Sequence, residues 1–279
     1  MKVFKFGGAS VKDAAGVKPL FNCPSTAWTT YRGRFSYGKT TNLLETLCNA
    51  YFHQDPEATA VMKELKDFHL NIVTSLFPLN APVYKHLEEL FINLENILAS
   101  ESSLCYDYEY DRIICFGELI STTIISDYME MEGIENQFID IRKFLKTDQN
   151  YRNANIDLEL SEQLCKEAFD FNTSSTFVTQ GFIAGTRTNQ TTTLGREGSD
   201  YTAALLANLL NAENVTIWKD VPGVMNADPK EYEKAQVISR MSYKEAIELS
   251  HFGAKVIHPK TIKPIQNKQI PLYVKSFLH

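Results

Sequence analysis

A ten-residue segment from Thr191 to Asp200 concentrates hydroxyl groups, spaced glycines, one arginine and one acid just before a predicted helix. Arg196 carries a planar guanidinium group, which binds a carboxylate or a phosphate through two parallel hydrogen bonds. The neighbouring glycines let backbone amides approach an anion closely. The segment therefore predicts a site for an anionic ligand, although a surface hairpin whose Ser199 or Asp200 merely caps the next helix would use the same residues.

A second candidate lies at the N-terminus, where Lys5 stands near the end of a predicted strand and Gly7 and Gly8 follow it. Ser10 is suited to begin a short helix behind the two glycines. A cation, bare backbone amides and a helix N-terminus together predict a cradle for phosphate groups. An ordinary Gly-Gly turn after a strand is the alternative.

A third candidate follows a predicted buried strand, which ends at Lys219 and Asp220. Asp228 and Lys230 stand in the turn region that comes next. Ligands of open parallel sheets gather at the carboxyl ends of strands, so these side chains are candidates for ligand contact. Lys255 offers another cation near that edge, or else simply complements the dipole at a helix C-terminus.

Glu118 is an acid inside an otherwise apolar predicted helix. A buried carboxylate needs a partner, such as the ammonium group of a substrate or a neighbouring arginine. A structural ion pair would explain Glu118 equally well. His251 and His258 have no companion acid or cysteine at ligand spacing, so the sequence predicts no metal site for them.

The hydrophobic pattern predicts the elements that must position these residues. Helical spacing of apolar residues dominates from Thr41 to about Gly133, and strands and helices alternate afterwards. The predicted later elements are strands at 137–141, 176–184, 215–218 and 270–274, and helices at 200–210, 243–252 and 259–267. This order predicts an α/β protein with a mostly parallel sheet and helices on both faces.

Bulk composition excludes several classes of protein. The 279 residues include 28 Lys and Arg against 34 Asp and Glu, and this net charge of -6 argues against a protein that grips nucleic acid. The five cysteines are scattered without a C-x-x-C pair, so we expect reduced thiols rather than disulfides. No signal peptide and no apolar run of membrane-spanning length is visible. We therefore expect a soluble cytoplasmic protein that binds neither nucleic acid nor a membrane.

Five segments in this order resemble the aspartate kinase family, a branch of the amino-acid kinase fold. They are Lys-Phe-Gly-Gly at 5–8, Gly-Glu-Leu-Ile-Ser at 117–121, Thr-Thr-Leu-Gly-Arg-x-Gly-Ser-Asp-Tyr-Thr-Ala at 192–203, Asp-Val-Pro-Gly at 220–223 and Phe-Gly-Ala-Lys-Val-Ile-His-Pro at 252–259. The resemblance implies one catalytic domain over 1–279, a three-layer α/β/α sandwich with a mostly parallel central sheet. Its substrate side would be the helix-rich lobe 1–150 and its nucleotide side the lobe 151–279, without the regulatory ACT domains of many relatives.

The resemblance also implies the chemistry. The expected reaction is ATP-dependent phosphorylation of the side-chain carboxylate of L-aspartate to 4-phospho-L-aspartate, the first step toward lysine, threonine and methionine, with Mg²⁺ and in a homodimer. The implied catalytic residues are Lys5 and Asp200, and the implied substrate-binding residues are Glu118, Thr193, Arg196 and Ser199. The implied nucleotide-binding residues are Gly7, Gly8, Ser10, Lys219, Asp220, Asp228, Lys230 and Lys255.

Residues 19–37 depart from the family pattern, which has a valine-rich second strand there. We expect this central strand to be missing, and an inactive or pseudo-kinase subunit is one alternative interpretation. A P-loop NTPase is another, because Gly33, Gly38, Lys39 and Thr40 satisfy the Walker A spacing. That pattern requires a well-formed buried strand before Gly33, which residues rich in Pro, Ser, Thr and Arg do not predict.

Overall fold

The computed structural model describes residues 1–7, 31–33, 40–221, 223–227, 231–232, 234–251 and 256–276, with the backbone alone at 31–33. Its strands are β1 (Lys2–Phe6), β2 (Tyr31–Gly33), β3 (Gln137–Ile139), β4 (Lys146–Thr147), β5 (Phe177–Gln180), β6 (Ile183–Thr186), β7 (Thr191–Thr193), β8 (Asn214–Lys219) and β9 (Leu272–Ser276). Its α-helices are α1 (Thr40–Phe52), α2 (Glu57–Leu76), α3 (Val83–Leu98), α4 (Tyr106–Met131), α5 (Leu158–Ala168), α6 (Gly198–Leu209), α7 (Tyr243–His251) and α8 (Pro259–Gln266).

The main sheet has six strands in the order β3-β5-β2-β1-β8-β9. Every neighbouring pair in it is parallel. A smaller sheet contains β4, β6 and β7, of which β6 and β7 are antiparallel. The predicted α/β class with a mostly parallel sheet is therefore confirmed.

Side-chain alternation in β1 divides the core between the two faces of the main sheet. Phe4 and Phe6 join a large apolar cluster that includes residues of α1, α2, α3 and α4. Val3 joins a second cluster with alanines of α6 and isoleucines of α8. Because successive residues of a strand point to opposite faces, helices cover both sides and the fold is a three-layer sandwich.

The expectation that the central strand is missing was wrong. β2 pairs in parallel with β1 on one side and with β5 on the other, with Phe4 opposite Tyr31 and Tyr31 opposite Val178. A parallel ladder is made by backbone groups, so a short extended stretch can complete it without the valine-rich pattern that sequence analysis requires.

The predicted single strand over 176–184 is two strands in two different sheets. The chain leaves β5 through Gly181 and Phe182, and Phe182 has a left-handed φ of 69°. A side chain at Gly181 would place its Cβ 2.8 Å from the Cβ of Ser199. This close approach to the start of α6 requires glycine and turns the backbone into β6.

None of the helices in the described ranges combines the length and the apolar composition needed to cross a bilayer.

Candidate active site

Two lysines share one buried carboxylate near the carboxyl ends of the strands of the main sheet. Lys5 Nζ lies 2.6 Å from Asp200 Oδ1, and Lys219 Nζ lies 3.0 Å from Asp200 Oδ2. Asp200 has no solvent exposure and Lys5 is 6% exposed. Lys219 also donates a hydrogen bond to the backbone carbonyl of Val256 at 2.5 Å. This cluster places two ammonium groups side by side around one acid, and such cations can bind the oxygens of an anionic ligand.

Strand geometry explains how the two lysines meet. β1 and β8 are parallel neighbours, with Val3 opposite Val215 and Lys5 opposite Ile217. Val3 and Val215 lie in the core cluster that α6 covers. Lys5 and Lys219 follow these residues at even spacing, so both point to the same face near the carboxyl ends of their strands. Ligands bind at such carboxyl ends in open parallel sheets.

The first turn of α6 places Asp200 beside the two lysines. Glu197, the residue before the helix, has a left-handed φ of 54°, and Asp200 lies in the first helical turn. At Gly198 an added Cβ would come within 2.7 Å of the Phe182 ring. The glycine therefore lets α6 begin directly against the turn that follows β5.

Opposing effects set the pKa of Asp200. Burial raises the pKa of the carboxyl group, but the charges of Lys5 and Lys219 outweigh burial and lower the pKa below its usual value. Asp200 is therefore ionised at neutral pH. It is the counter-ion that allows two lysines to lie close together in a site sheltered from water.

A cavity of about 430 Å³ adjoins the lysine cluster. Its polar wall includes Glu45, Tyr110, Glu118, Arg152, Thr193 and Arg196. Glu118 is buried, whereas Arg196 is exposed. Glu197 also lines the cavity, and its carboxylate lies 3.9 Å from Lys219 Nζ. The cavity thus offers both an acid and an arginine to a small charged ligand beside the two lysines.

A second buried acid lies behind this cavity. Asp111 Oδ2 accepts hydrogen bonds from the backbone amides of Thr193 at 2.8 Å and Arg152 at 2.9 Å. Its Oδ1 accepts the hydroxyl hydrogen bond of Thr193 at 2.8 Å. Burial raises the pKa of Asp111 to about 6, against the lowering effect of these hydrogen bonds. Asp111 therefore joins α4 to the two segments that complete the cavity wall.

The rim of the cavity contains a second polar network. The hydroxyl group of Tyr110 donates a hydrogen bond to Glu45 Oε1 at 3.0 Å, which connects α4 to α1. The Arg152 guanidinium lies 4.3 Å from the centre of the Tyr110 ring. Arg152 also bonds to Asp107 at 3.2 Å. These contacts fix the positions of the charged side chains around the opening.

The structure brings several predicted site residues together. Lys5, Lys219 and Asp200 form the ion cluster, while Glu118, Thr193 and Arg196 line the cavity. A Cβ added at Gly7 would lie 3.5 Å from Lys5 Nζ, so this backbone borders the cluster. Ser199 is buried against Gly181, and Asp220 is exposed at the end of β8. Five predicted residues lie outside the described residues, namely Gly8, Ser10, Asp228, Lys230 and Lys255.

Sequence reasoning missed Asp111, Tyr110, Glu45 and Arg152. Asp111 had a usable signal, because it precedes Glu118 by seven residues and therefore shares its face of a helix. Glu45 and Arg152 had none, since they reach the cavity from segments far apart in the chain.

Comparisons with known proteins identify relatives of this chain. The chain is 38% identical over 193 residues to the lysine-sensitive aspartokinase 3 of Escherichia coli, which covers 68% of this chain and 43% of the relative. It is 30% identical over 274 residues to the aspartokinase of Chlamydia pneumoniae, covering 98% of this chain and 60% of the relative.

A solved structure gives the same result. E. coli aspartokinase III in complex with aspartate and ADP superposes with a TM-score of 0.90 at 30% identity, covering all of this chain and 62% of the other. The chain therefore spans less than two thirds of the length of each of these relatives. Residues 1–276 match the amino acid kinase family. The chain belongs to the amino acid kinase family.

Proposed function

We propose that this chain phosphorylates the side-chain carboxylate of L-aspartate with ATP, giving 4-phospho-L-aspartate. The observation that carries the proposal is the buried Asp200 carboxylate, held by Lys5 and Lys219 beside a cavity that presents Glu118 and Arg196. The relatives support the ligands, because an aspartokinase of the same fold was solved with aspartate and ADP.

The proposed reaction needs no general base. An aspartate side chain has a reference pKa of about 4 and is already a carboxylate at neutral pH. One of its oxygens attacks the γ-phosphorus of ATP, the bond from phosphorus to the β–γ bridging oxygen breaks, and ADP leaves with the electron pair. The site must align the two substrates and neutralise charge on the phosphoryl oxygens, which is the role we give Lys5 and Lys219.

The remaining residue roles follow the family resemblance. We assign Glu118 to the ammonium group of aspartate and Arg196 to the carboxylate of aspartate, with Thr193 and Ser199 in the same site. The proposed nucleotide contacts are Gly7, Gly8, Ser10, Lys219, Asp220, Asp228, Lys230 and Lys255. We also propose a helix-rich substrate-side lobe at 1–150, which supplies α1 and α4 to the cavity, and a nucleotide-side lobe at 151–279. Each lobe contributes to both sites, since Thr193, Arg196 and Ser199 come from the second lobe and Gly7, Gly8 and Ser10 from the first.

We propose that Mg²⁺ is held chiefly through the phosphates of ATP. Both oxygens of Asp200 lie within ion-pair distance of lysines, and the described residues contain no group of three or more acids, histidines or cysteines that could hold a metal ion. The cations of the cluster suit the phosphate oxygens instead. A bound Mg²⁺ would neutralise further charge on the same oxygens.

Formation of aspartyl hydroxamate in the presence of ATP and hydroxylamine tests the proposal. We expect Lys5→Ala to lower kcat by about 10²- to 10³-fold, as loss of one group that stabilises transition-state charge does. Lys2→Ala is the matched control, because Lys2 stands at the opposite end of β1. The absence of aspartate-dependent turnover in the unmodified chain would contradict the assignment and favour the inactive subunit.

The P-loop alternative is tested by Lys39→Ala in the same assay. β2 does end at Gly33 and α1 begins at Thr40, so the lack of a preceding strand no longer argues against it. The family match over residues 1–276 favours the amino-acid kinase site instead. Activity that survived Lys5→Ala but disappeared with Lys39→Ala would reverse this choice.

Three broader expectations remain proposals. We propose a homodimer, a cytoplasmic location and a place at the first step toward lysine, threonine and methionine, all supported by the family resemblance. Light scattering of the purified chain at several concentrations measures the oligomeric state.

A further inference from the structure

Asp111 is a buried acid that the proposed reaction does not use directly. It has no solvent exposure and lies on α4, two helical turns before Glu118 and on the same face. It accepts three hydrogen bonds, from both the amide and the hydroxyl of Thr193 and from the amide of Arg152. Both of these residues line the cavity.

These contacts determine whether the Thr193 hydroxyl group can donate or only accept a hydrogen bond in the cavity. An ionised carboxylate can only accept hydrogen bonds, whereas a hydroxyl group has one proton and two lone pairs. Thr193 commits its proton to Asp111 Oδ1, at an oxygen-to-oxygen distance of 2.8 Å. Its oxygen can then offer only lone pairs to a ligand. With a pKa of about 6, Asp111 is mainly ionised at neutral pH, which fits this direction of the hydrogen bond.

The cavity wall contains the carboxylates of Glu45, Glu118 and Glu197, and Thr193 adds to the same wall a hydroxyl group whose oxygen is left as an acceptor. A ligand group that meets the Glu118 carboxylate and the Thr193 oxygen must donate hydrogen bonds, and the carboxylate favours a donor with positive charge. We propose that Asp111 is a positioning residue for substrate choice, which fixes the Thr193 oxygen as an acceptor for the ammonium group of the substrate. The inference rests on the proposed function and adds a reason why an α-amino acid is preferred to the same diacid without its amine.

The Asp111→Asn substitution reverses the direction of the hydrogen bond between this side chain and the Thr193 hydroxyl group without removing the contacts. The amide oxygen can still accept the two backbone hydrogen bonds, while the amide nitrogen donates to Thr193 and turns its hydroxyl proton toward the cavity. Calorimetry with aspartate and with succinate, which lacks the amine, measures the consequence. We expect the Kd for aspartate to rise about 10- to 100-fold, the range for a hydrogen bond to a charged group, and that for succinate to change much less.

A second pair of variants tests the same group if Asp111→Asn does not fold. Thr193→Val removes the hydroxyl and should lose the preference for aspartate over succinate, and Thr193→Ser should restore most of it. Glu130→Gln is the control for the loss of an acid on α4, because Glu130 is exposed near the far end of this helix from Asp111.

The outcomes separate the inference from the proposed function. A loss of aspartate preference in Asp111→Asn and Thr193→Val, with the preference retained in Glu130→Gln, supports the inference. An unchanged preference, or equal weakening of both ligands, overturns it while the proposed function stands. If the unmodified chain binds aspartate no better than succinate, the inference fails together with the substrate assignment.

Discussion

Asp200 and Asp111 are both shielded completely from solvent, yet their surroundings have opposite effects. Asp200 is held by the ammonium groups of Lys5 and Lys219, which lower its pKa in spite of burial. Asp111 is held by neutral donors, and burial raises its pKa to about 6. Burial therefore raises the pKa of both acids, and the charge of their partners decides whether the net shift is upward or downward. The first acid holds two lysines together, which we propose bind phosphate, and the second accepts the hydrogen bond of a hydroxyl group.

The largest expected effect is at the lysine cluster. Asp200→Asn keeps the shape of the side chain but removes the counter-ion of the buried Lys5 and the nearest counter-ion of the half-buried Lys219. We expect the free energy of unfolding to fall by about 3–5 kcal/mol, as when one partner of a buried ion pair is removed. Hydroxamate formation should fall by about 10³-fold or more.

Urea denaturation and the hydroxamate assay measure the two effects. Asp67→Asn, which changes an exposed acid of α2, is the matched control. A variant of Asp200 with unchanged stability and activity would show that the lysines do not depend on this carboxylate.

The second prediction concerns the dependence of stability on pH. The folded pKa of Asp111 lies above its unfolded value of about 3.8, so its contribution to stability is full at low pH and is lost as the pH rises toward 6. For Asp200 the folded pKa is lowered, so its contribution is present above about pH 4 and is lost at lower pH.

Asp111→Asn should therefore remove a decline in the free energy of unfolding between about pH 4 and 6, worth at most about 3 kcal/mol. Urea denaturation of the variant and the unmodified chain at several pH values in this range measures the difference in their free energies of unfolding. If the stability of the unmodified chain relative to the variant rose with pH, the charges around Asp111 would outweigh its burial.

A smaller effect is expected at Lys219. Lys219→Met leaves Asp200 paired with Lys5, so the acid keeps one counter-ion. We expect kcat to fall about 10- to 100-fold, with a loss of about 1.5–3 kcal/mol in unfolding free energy, as for one charge-assisted hydrogen bond. Steady-state assays with varied ATP measure the first quantity. Equal effects of Lys219→Met and Asp200→Asn would show that one lysine cannot support the acid.

The smallest effect is expected at Lys260, which supports the cavity wall from α8. Its ammonium group donates to the backbone carbonyl of Leu194 at 2.8 Å and to Asn153 at 3.1 Å. Lys260→Met should cost about 1 kcal/mol of stability and raise the KM for aspartate by less than about tenfold, with little change in kcat. A larger fall in kcat than rise in KM would place Lys260 in the reaction itself.

Much of the fold could be predicted from local patterns. Apolar residues at helical spacing predicted the long helical region, and alternation after it predicted a parallel α/β sheet. The turn at Gly181 and Phe182 was not visible, because β5 and β6 are each buried along their whole length and look like one strand. The short β2 was missed since its ladder depends on neighbours rather than on its own side chains.

The candidate site shows the same division. The sequence motifs contain charged residues of types that bind charged ligands. The structure brings four of them to one region, namely Lys5, Glu118, Arg196 and Asp200. Asp111 was missed because its partners, Thr193 and Arg152, reach it from 82 and 41 residues away along the chain.

The sequence by itself determined the family motifs, the periodicity of the elements and the residues able to bind anions. These depend on chemistry and spacing within a few turns of chain. Only the tertiary structure decided that Lys5 and Lys219 share Asp200, that Asp111 holds Thr193, and that the two acids differ in pKa. These properties depend on which distant groups meet in a medium without water, where the nearest partner determines whether a charge is stable.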